Sequence, residues 1–359
     1  MTPARRPGRD PFLIGEMLVP AGRTATGELP ISRLVTGTQI SLPIQIVHGR
    51  KPGCTIWLSA AVHGDEIGGV EIIRRVTKSL NARAMSGTVI AVPIVNVHGF
   101  LQGDRYLPDR RDLNRAFPGS PNGSLAARIA NLFMTEIVTR CDVGIDLHSG
   151  SDHRTNLPHV RGDLDDPTTR KLAEAFGAPV MVHARLRDGS LRAAATENGA
   201  TMLLYEGGEA WRFDAAALDV GVRGIRRVLG ELGMIDRDPD DDDDGPTVPM
   251  ESRRTSWVRA RRSGLALLQT GLGAEVTRGQ LLGVIHDSVG KRLSRITATT
   301  SGVVIGHIQH PLVNQGDAIA NIAEITDASH YASQDTSDDT SEGLHPMPEM
   351  YDDSTSELA

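Results

Sequence analysis

An α/β fold is predicted, with a mixed, mainly parallel sheet, helices on both its faces and a small all-β segment after it. Three observations predict it. Between residues 55 and 232 short apolar runs alternate with runs of helical period, the pattern of stacked βαβ units. A nearly pure acidic run, Asp236 to Gly245, then interrupts the chain. Beyond it the period falls to two, with turn residues and no helical pattern.

The elements follow in order. Residues 1–12 are rich in Arg and Pro and are expected to be disordered. Leu29 to Val35 and Gln39 to Val47 read as antiparallel edge strands. Thr55 to Val62 reads as a buried strand, after which Ile67, Val70, Ile73, Val76 and Leu80 recur at helical spacing between charged residues. Thr88 to Val95 is the next strand, ending at Asn96. Gly99 to Gly123 has no clear period, and an irregular stretch of this length in a compact domain is usually functional. Ser124 reads as the N-cap of a helix reaching Arg140, and the strand Val143 to His148 follows. A second irregular stretch, Ser149 to Asp163, leads to a helix (Pro167 to Phe176), a strand (Pro179 to His183), a short helix (Ala193 to Asn198) and a strand (Thr201 to Tyr205). Asp214 caps the last helix and Gly233 ends it.

Like charges at the density of the acidic run repel and stay solvated, so 236–250 reads as a linker between a domain over 13–235 and a β-domain over 251–327. A weak repeat inside the latter, Gly264 to Leu282 echoed by Gly302 to Ile319, predicts two halves interlocked as a flattened barrel. The tail, 328–359, is rich in Ser, Asp, Glu and Pro and is expected to be disordered. No apolar run is long enough to span a bilayer, and residues 1–10 lack the apolar segment of a signal peptide, so the expected location is the cytoplasm. The net charge of -7 is concentrated in the linker and tail, and no basic stripe supports nucleic-acid binding. Cys54 and Cys141 stand in or beside apolar runs without a ligand spacing, and read as reduced core thiols.

Candidate chemistry lies at the ends of the predicted strands, where open α/β sheets hold their ligands. His63 and Glu66 stand three apart at a strand-to-helix junction and can share a metal; the alternative is a surface imidazole and a carboxylate favoured by the helix dipole. His148, at the end of a second strand, supplies the third ligand that a catalytic zinc of the His, Glu, His type requires. Asn114 and Arg115, in the long loop, suit bidentate capture of a carboxylate, or form an Asx-turn with a surface ion pair. Glu206 ends a buried strand, as a structural acceptor or as a general base. Asp146 shares a strand face with His148 and either orients it or caps a turn. Arg154 and Arg161 lie in the segment expected to set substrate selectivity, and the remaining histidines, His159 among them, read as loop or surface residues.

His63-Gly64-Asp65-Glu66, Asp112-Leu113-Asn114-Arg115, Asp146-Leu147-His148 and the strand-end Glu206, in this order, resemble the succinylglutamate desuccinylase and aspartoacylase family. The resemblance covers Met17 to Ile325 and implies a zinc carboxypeptidase-like fold with a C-terminal β-domain. It implies one zinc per chain held by His63, Glu66 and His148, a carboxylate clamp of Asn114 and Arg115, and Glu206 as general base. Arg105 resembles the arginine that polarises the scissile carbonyl. Its gap to Asn114 differs from that of the aspartoacylases by two residues, which leaves Arg110 and Arg111 as alternatives.

The expected function is that of a zinc-dependent amidohydrolase, a deacylase of N-acyl amino acids or related small molecules. Its partners are the small-molecule substrate and no nucleic acid or membrane, with a homo-oligomer left open. A zinc carboxypeptidase acting on peptides shares the constellation and is the first rival. A non-catalytic zinc-binding or carrier protein is the second, because the C-terminal repeat resembles biotinyl and lipoyl carriers and Lys291 lies near their modified lysine, without the flanking methionines.

Overall fold

In the computed structural model, which describes residues 9–151, 153–238 and 249–325, the chain opens with a hairpin of β1 (Phe12–Ile14) and β2 (Met17–Val19). β3 (Arg23–Arg33) and β4 (Gln39–His48) follow as the antiparallel edge that the sequence predicts. Next come β5 (Lys51–Ala60), α1 (Gly68–Ser79), β6 (Ser86–Val92), α2 (Val97–Gln102), α3 (Leu125–Glu136), β7 (Val143–Gly150) and β8 (Arg154–Gly162). α4 (Pro167–Phe176), β9 (Val180–His183), α5 (Leu191–Glu197), β10 (Thr201–Glu209) and α6 (Ala215–Glu231) complete this part. Side-chain caps set the starts of α3 and α6: Ser124 Oγ accepts from Ala127 N at 3.3 Å and Asp214 Oδ1 from Ala217 N at 3.0 Å.

Alternation along the central strands divides the core in two. On β5, Ile56 and Leu58 pack with α1, α4 and α6, whereas Trp57 packs with α3, α5 and the first hairpin. Helices therefore cover both faces, and β6, β5, β7 and β10 run parallel side by side.

After residue 249 every described element is a strand: β11 (Met250–Arg259), β12 (Gly264–Leu268), β13 (Glu275–Val276), β14 (Leu281–His286), β15 (Arg292–Thr297), β16 (Gly302–Ile308), β17 (Leu312–Val313) and β18 (Ala318–Ile325). β15, β14, β12 and β17 form their own antiparallel sheet over a core that includes Val258, Ile285, Ile296 and Ile322. The other strands do not stay in a separate barrel. β11 pairs with β9, and β16 pairs with both β18 and β8, so the main sheet grows to twelve strands. β8, β9, β11, β18 and β16 thereby close a ring, with Val180, Val182, Val303, Ile305 and Ala323 packed together. Two apolar strand edges are covered by this closure. Counted whole among the described residues, the sheet is mixed; its mainly parallel character belongs to the part before residue 235.

Three expectations change. The stretch from Ser149 to Asp163 is not irregular but contains β8. Pro158 obscures it in the sequence, yet it is accommodated because β16 pairs with 154–156, β9 with 159–162, and the β10 register is broken between Asn156 and His159, so Pro158 falls where no neighbour needs its missing N–H. The long loop after Asn96 begins with α2, capped by Asn96 Oδ1 accepting from Gly99 N at 2.8 Å. Residues 1–8 lie outside the described residues, but Arg9 is in place, its Nη1 donating to Gly87 O at 2.7 Å. Most of the acidic linker and the tail also fall outside. Cys54 and Cys141 are free and half-buried, burial raising both thiols. No described helix is long and apolar enough to cross a membrane.

Candidate active site

The carboxyl end of β5 turns sharply. Ala61 takes φ 49°, a left-handed conformation that a non-glycine residue holds only where its surroundings enforce it. Val95 N and Asn96 N donate to the carbonyls of Ala60 and Ala61 at 3.0 and 2.8 Å and fix the turn. At Gly64 a Cβ would stand 2.1 Å from the carbonyl carbon of Gly99, so only glycine lets this turn lie against α2. The turn delivers His63 and Glu66, 5% and 2% exposed, to the sheet edge where β7 delivers His148. Glu66 lies between the two imidazoles, with Oε1 2.8 Å from His63 Nδ1 and Oε2 2.7 Å from His148 Nδ1.

A carboxylate stands behind each imidazole. Asp146 Oδ2 is 2.7 Å from His148 Nε2, and its Oδ1 accepts from Ser59 Oγ at 2.7 Å, so Asp146 orients the ring rather than capping a turn. Asp112 Oδ1 is 3.3 Å from His63 Nε2, short of hydrogen-bond geometry, so that buried nitrogen is left without a hydrogen-bond partner. Burial pulls both histidine pKa values down, but the charges of Glu66, Asp146 and Asp112 outweigh it and raise them. Burial works against the Glu66 charge, and the two imidazoles beside it nevertheless hold its carboxyl well below the usual range.

This arrangement fits a divalent metal. Two imidazole nitrogens and a carboxylate oxygen gather within 4.8 Å of one another, the donor set of a mononuclear zinc site. Carboxylates behind ligand imidazoles fix ring tautomer and orientation in such sites.

Glu206 lies opposite His148 in the parallel β7–β10 register, so both reach the same face of the sheet. Burial raises its pKa, with Arg161 pulling the other way. Asn156 Nδ2 donates to its Oε2 at 3.0 Å. A cavity of about 590 Å³ opens here, and all nine candidate residues line it: His63, Glu66, Arg105, Asn114, Arg115, His148, Arg154, Arg161 and Glu206. Arg105 is tied to Glu66 Oε1 (3.2 Å), Ser151 Oγ (2.9 Å) and Asp112 Oδ2 (3.3 Å). Arg110 and Arg111 do not line it, and Arg111 pairs with Asp109 at 3.5 Å. Glu209 also lies outside it, 3.3 Å from Arg212.

Residues not singled out by sequence reasoning join them. Asp112, Ser151, Asn156, Arg187 and Arg192 line the cavity, as do Trp257 and Asn321 from β11 and β18. Asp112 carried a signal in its place within a motif with Asn114, and Asn156 in its place within the segment expected to set selectivity. His159 is not a surface residue as expected: it is 1% exposed in β8, its Nδ1 2.8 Å from Leu157 O, and burial lowers its pKa to about 3. Asn114 Oδ1 accepts from Leu191 N at 2.9 Å and so anchors its loop to the first turn of α5.

The catalytic-domain signature of succinylglutamate desuccinylases and aspartoacylases matches residues 52–232. An N-alpha-acetyl-L-2,4-diaminobutyric acid deacetylase from Halomonas elongata is 30% identical over 300 residues, 80% of this chain and 87% of that one. The crystal structure of a succinylglutamate desuccinylase/aspartoacylase from Rhodobacter sphaeroides superposes with a TM-score of 0.75 at 28% identity, covering 88% of this chain and 97% of the other. The product-bound ectoine utilization protein EutE (DoeB) from Ruegeria pomeroyi gives 0.75 at 25% identity, over 90% and 100%. With the signature spanning β5 to α6 and a relative 30% identical over 80% of the chain, the chain belongs to the succinylglutamate desuccinylase/aspartoacylase family.

Proposed function

We propose that this protein is a cytoplasmic zinc-dependent deacylase that hydrolyses the amide bond of an N-acyl amino acid or a related small molecule. One observation carries the reading: His63, Glu66 and His148 converge in the cavity into which the desolvated Glu206 also faces. One zinc held by those three residues would supply Lewis acidity toward water and the scissile carbonyl. Glu206 accepts the proton of the attacking water, a role its raised pKa favours, and returns it to the departing amine nitrogen. Arg105 stabilises negative charge developing on the carbonyl oxygen.

Arg115, with Asn114, holds the substrate carboxylate. In support, the side chains of Arg115, Arg161 and Arg192 donate their hydrogen bonds to neutral groups: the Asn114 carbonyl, the His159 ring, and the carbonyls of Ala184 and Arg185. Arg192 is 8% exposed, and a buried cation so placed favours an anionic ligand. The Halomonas relative, by its name a deacetylase of an N-acetylated amino acid, agrees with this substrate class.

The test is a screen of the zinc-loaded protein against N-acetyl, N-succinyl and N-formyl amino acids, read by amine release. Turnover of one group is expected. No release from any of them, or release of C-terminal residues from peptides instead, would overturn the proposal.

A further inference from the structure

The Glu206 carboxylate accepts a hydrogen bond from Asn156, and Asn156 in turn lies against β16, 150 positions along the chain. The register places Asn156 opposite Gly306, and Gly306 opposite Asn321. A Cβ at Gly306 would stand 2.7 Å from Asn156 Oδ1, far inside contact distance, while its next neighbours, Thr155 O at 3.5 Å and Asn321 Cβ at 3.8 Å, would be undisturbed. The missing side chain at Gly306 is therefore the room in which the Asn156 carboxamide sits with its Nδ2 toward Glu206.

We infer that Asn156 is a positioning residue for Glu206, and that Gly306, from the C-terminal β-segment, sets the orientation of Asn156. The inference rests on the proposed role of Glu206. A carboxylate that must meet both an attacking water and a departing nitrogen needs a fixed rotamer, and a misplacement of about 1 Å can lower turnover about 10²-fold. Asn156 supplies that restraint without touching the reacting atoms. β16 thus reaches the reaction through one carboxamide, which gives the all-β segment a part in the chemistry beyond walling the cavity.

The test uses the full zinc-loaded chain, with the best-hydrolysed member of the panel above as substrate. Asn156→Ala and Gly306→Ala are each expected to lower kcat between about 10- and 100-fold with KM and zinc content near wild type. Gly306→Ala acts only by displacing the carboxamide, so it should have no further effect once Asn156 is Ala. A general loosening of the sheet would instead lower kcat again in the double variant. Asn156→Ala within twofold of wild type, or Gly306→Ala as harmful in the Asn156→Ala background as alone, would overturn the inference. Glu206→Gln distinguishes its failure from that of the underlying reading: unimpaired turnover there removes the base assignment itself.

Discussion

Glu206→Gln separates an active hydrolase from a metal-binding protein without the chemistry. The substitution keeps the volume, and the glutamine carbonyl can still accept from Asn156 Nδ2, now 3.0 Å from Oε2, so placement changes little. What disappears is the basic oxygen. General-base contributions are about 10²- to 10⁴-fold, or about 3 to 5 kcal/mol of transition-state stabilisation. kcat should fall by that factor with KM nearly unchanged, and zinc should stay stoichiometric because Glu206 is not among the three converging ligands. The metal-free protein should also become more stable. A carboxyl whose pKa is raised by folding contributes no penalty below its unfolded pKa, where both states are protonated. As pH rises from there to the folded pKa, the unfolded chain ionises first and stability falls; an amide removes that loss at neutral pH. Steady-state amine release, elemental analysis and urea denaturation read the three effects. Retention of more than half of kcat, or loss of zinc together with activity, refutes the reasoning. Glu209→Gln is the control and should leave kcat unchanged.

His63→Ala or His148→Ala should abolish stoichiometric zinc, measured by elemental analysis of protein purified without added metal; zinc kept in both variants means the ligands lie elsewhere. Arg115→Leu should raise KM for carboxylate-bearing substrates with little change in kcat, because a contact made equally in ground and transition states is uniform binding; steady-state kinetics checks this. His159 should make the fold acid-sensitive. Its pKa is about 3 in the fold, and a histidine near 6.5 when unfolded takes up a proton that the folded chain refuses, so stability drops as pH falls from 6.5 toward 3. Between pH 6.5 and 4.5 the metal-free wild type should lose roughly 2 kcal/mol more than His159→Gln in urea denaturation. Ending the chain at residue 249 should yield insoluble protein rather than a smaller enzyme, since it strips Val180 and Val182 of Val303, Ile305 and Ala323, at about 1.5–3 kcal/mol per large aliphatic side chain exposed; the soluble fraction on expression measures it.

Much of the candidate site is legible in the sequence because its converging residues close apolar runs. His63 follows the end of β5 and His148 lies near the end of β7, and the strand-helix alternation places both strand ends on one edge of the sheet. The roles of Asp112 and Asn156 are not legible in the same way, since each depends on which side chain a distant segment brings opposite it. Asp112 meets His63 across 49 positions and Asn156 meets Glu206 across 50. The C-terminal strands show the same limit. Period two reveals that β16 is a strand but not that β8 is its neighbour, because pairing is decided by where an uncovered apolar edge remains. Pro158 and the two arginines of β8 hide a strand that only its neighbours' register explains.

The pairing of β16 with β8 also bears on how the protein is made. A ribosome adds residues in order, so all nine candidate site residues have been synthesised by Glu206, yet β8 keeps an open edge until Gly302 to Ile308 emerge about a hundred residues later. At typical synthesis rates of about 5–20 residues per second, that edge stays uncovered for several seconds on each nascent chain. Long-range pairing of this kind is slow to form and vulnerable to aggregation. Nascent chains stalled before residue 302 should therefore be the species most in need of chaperones.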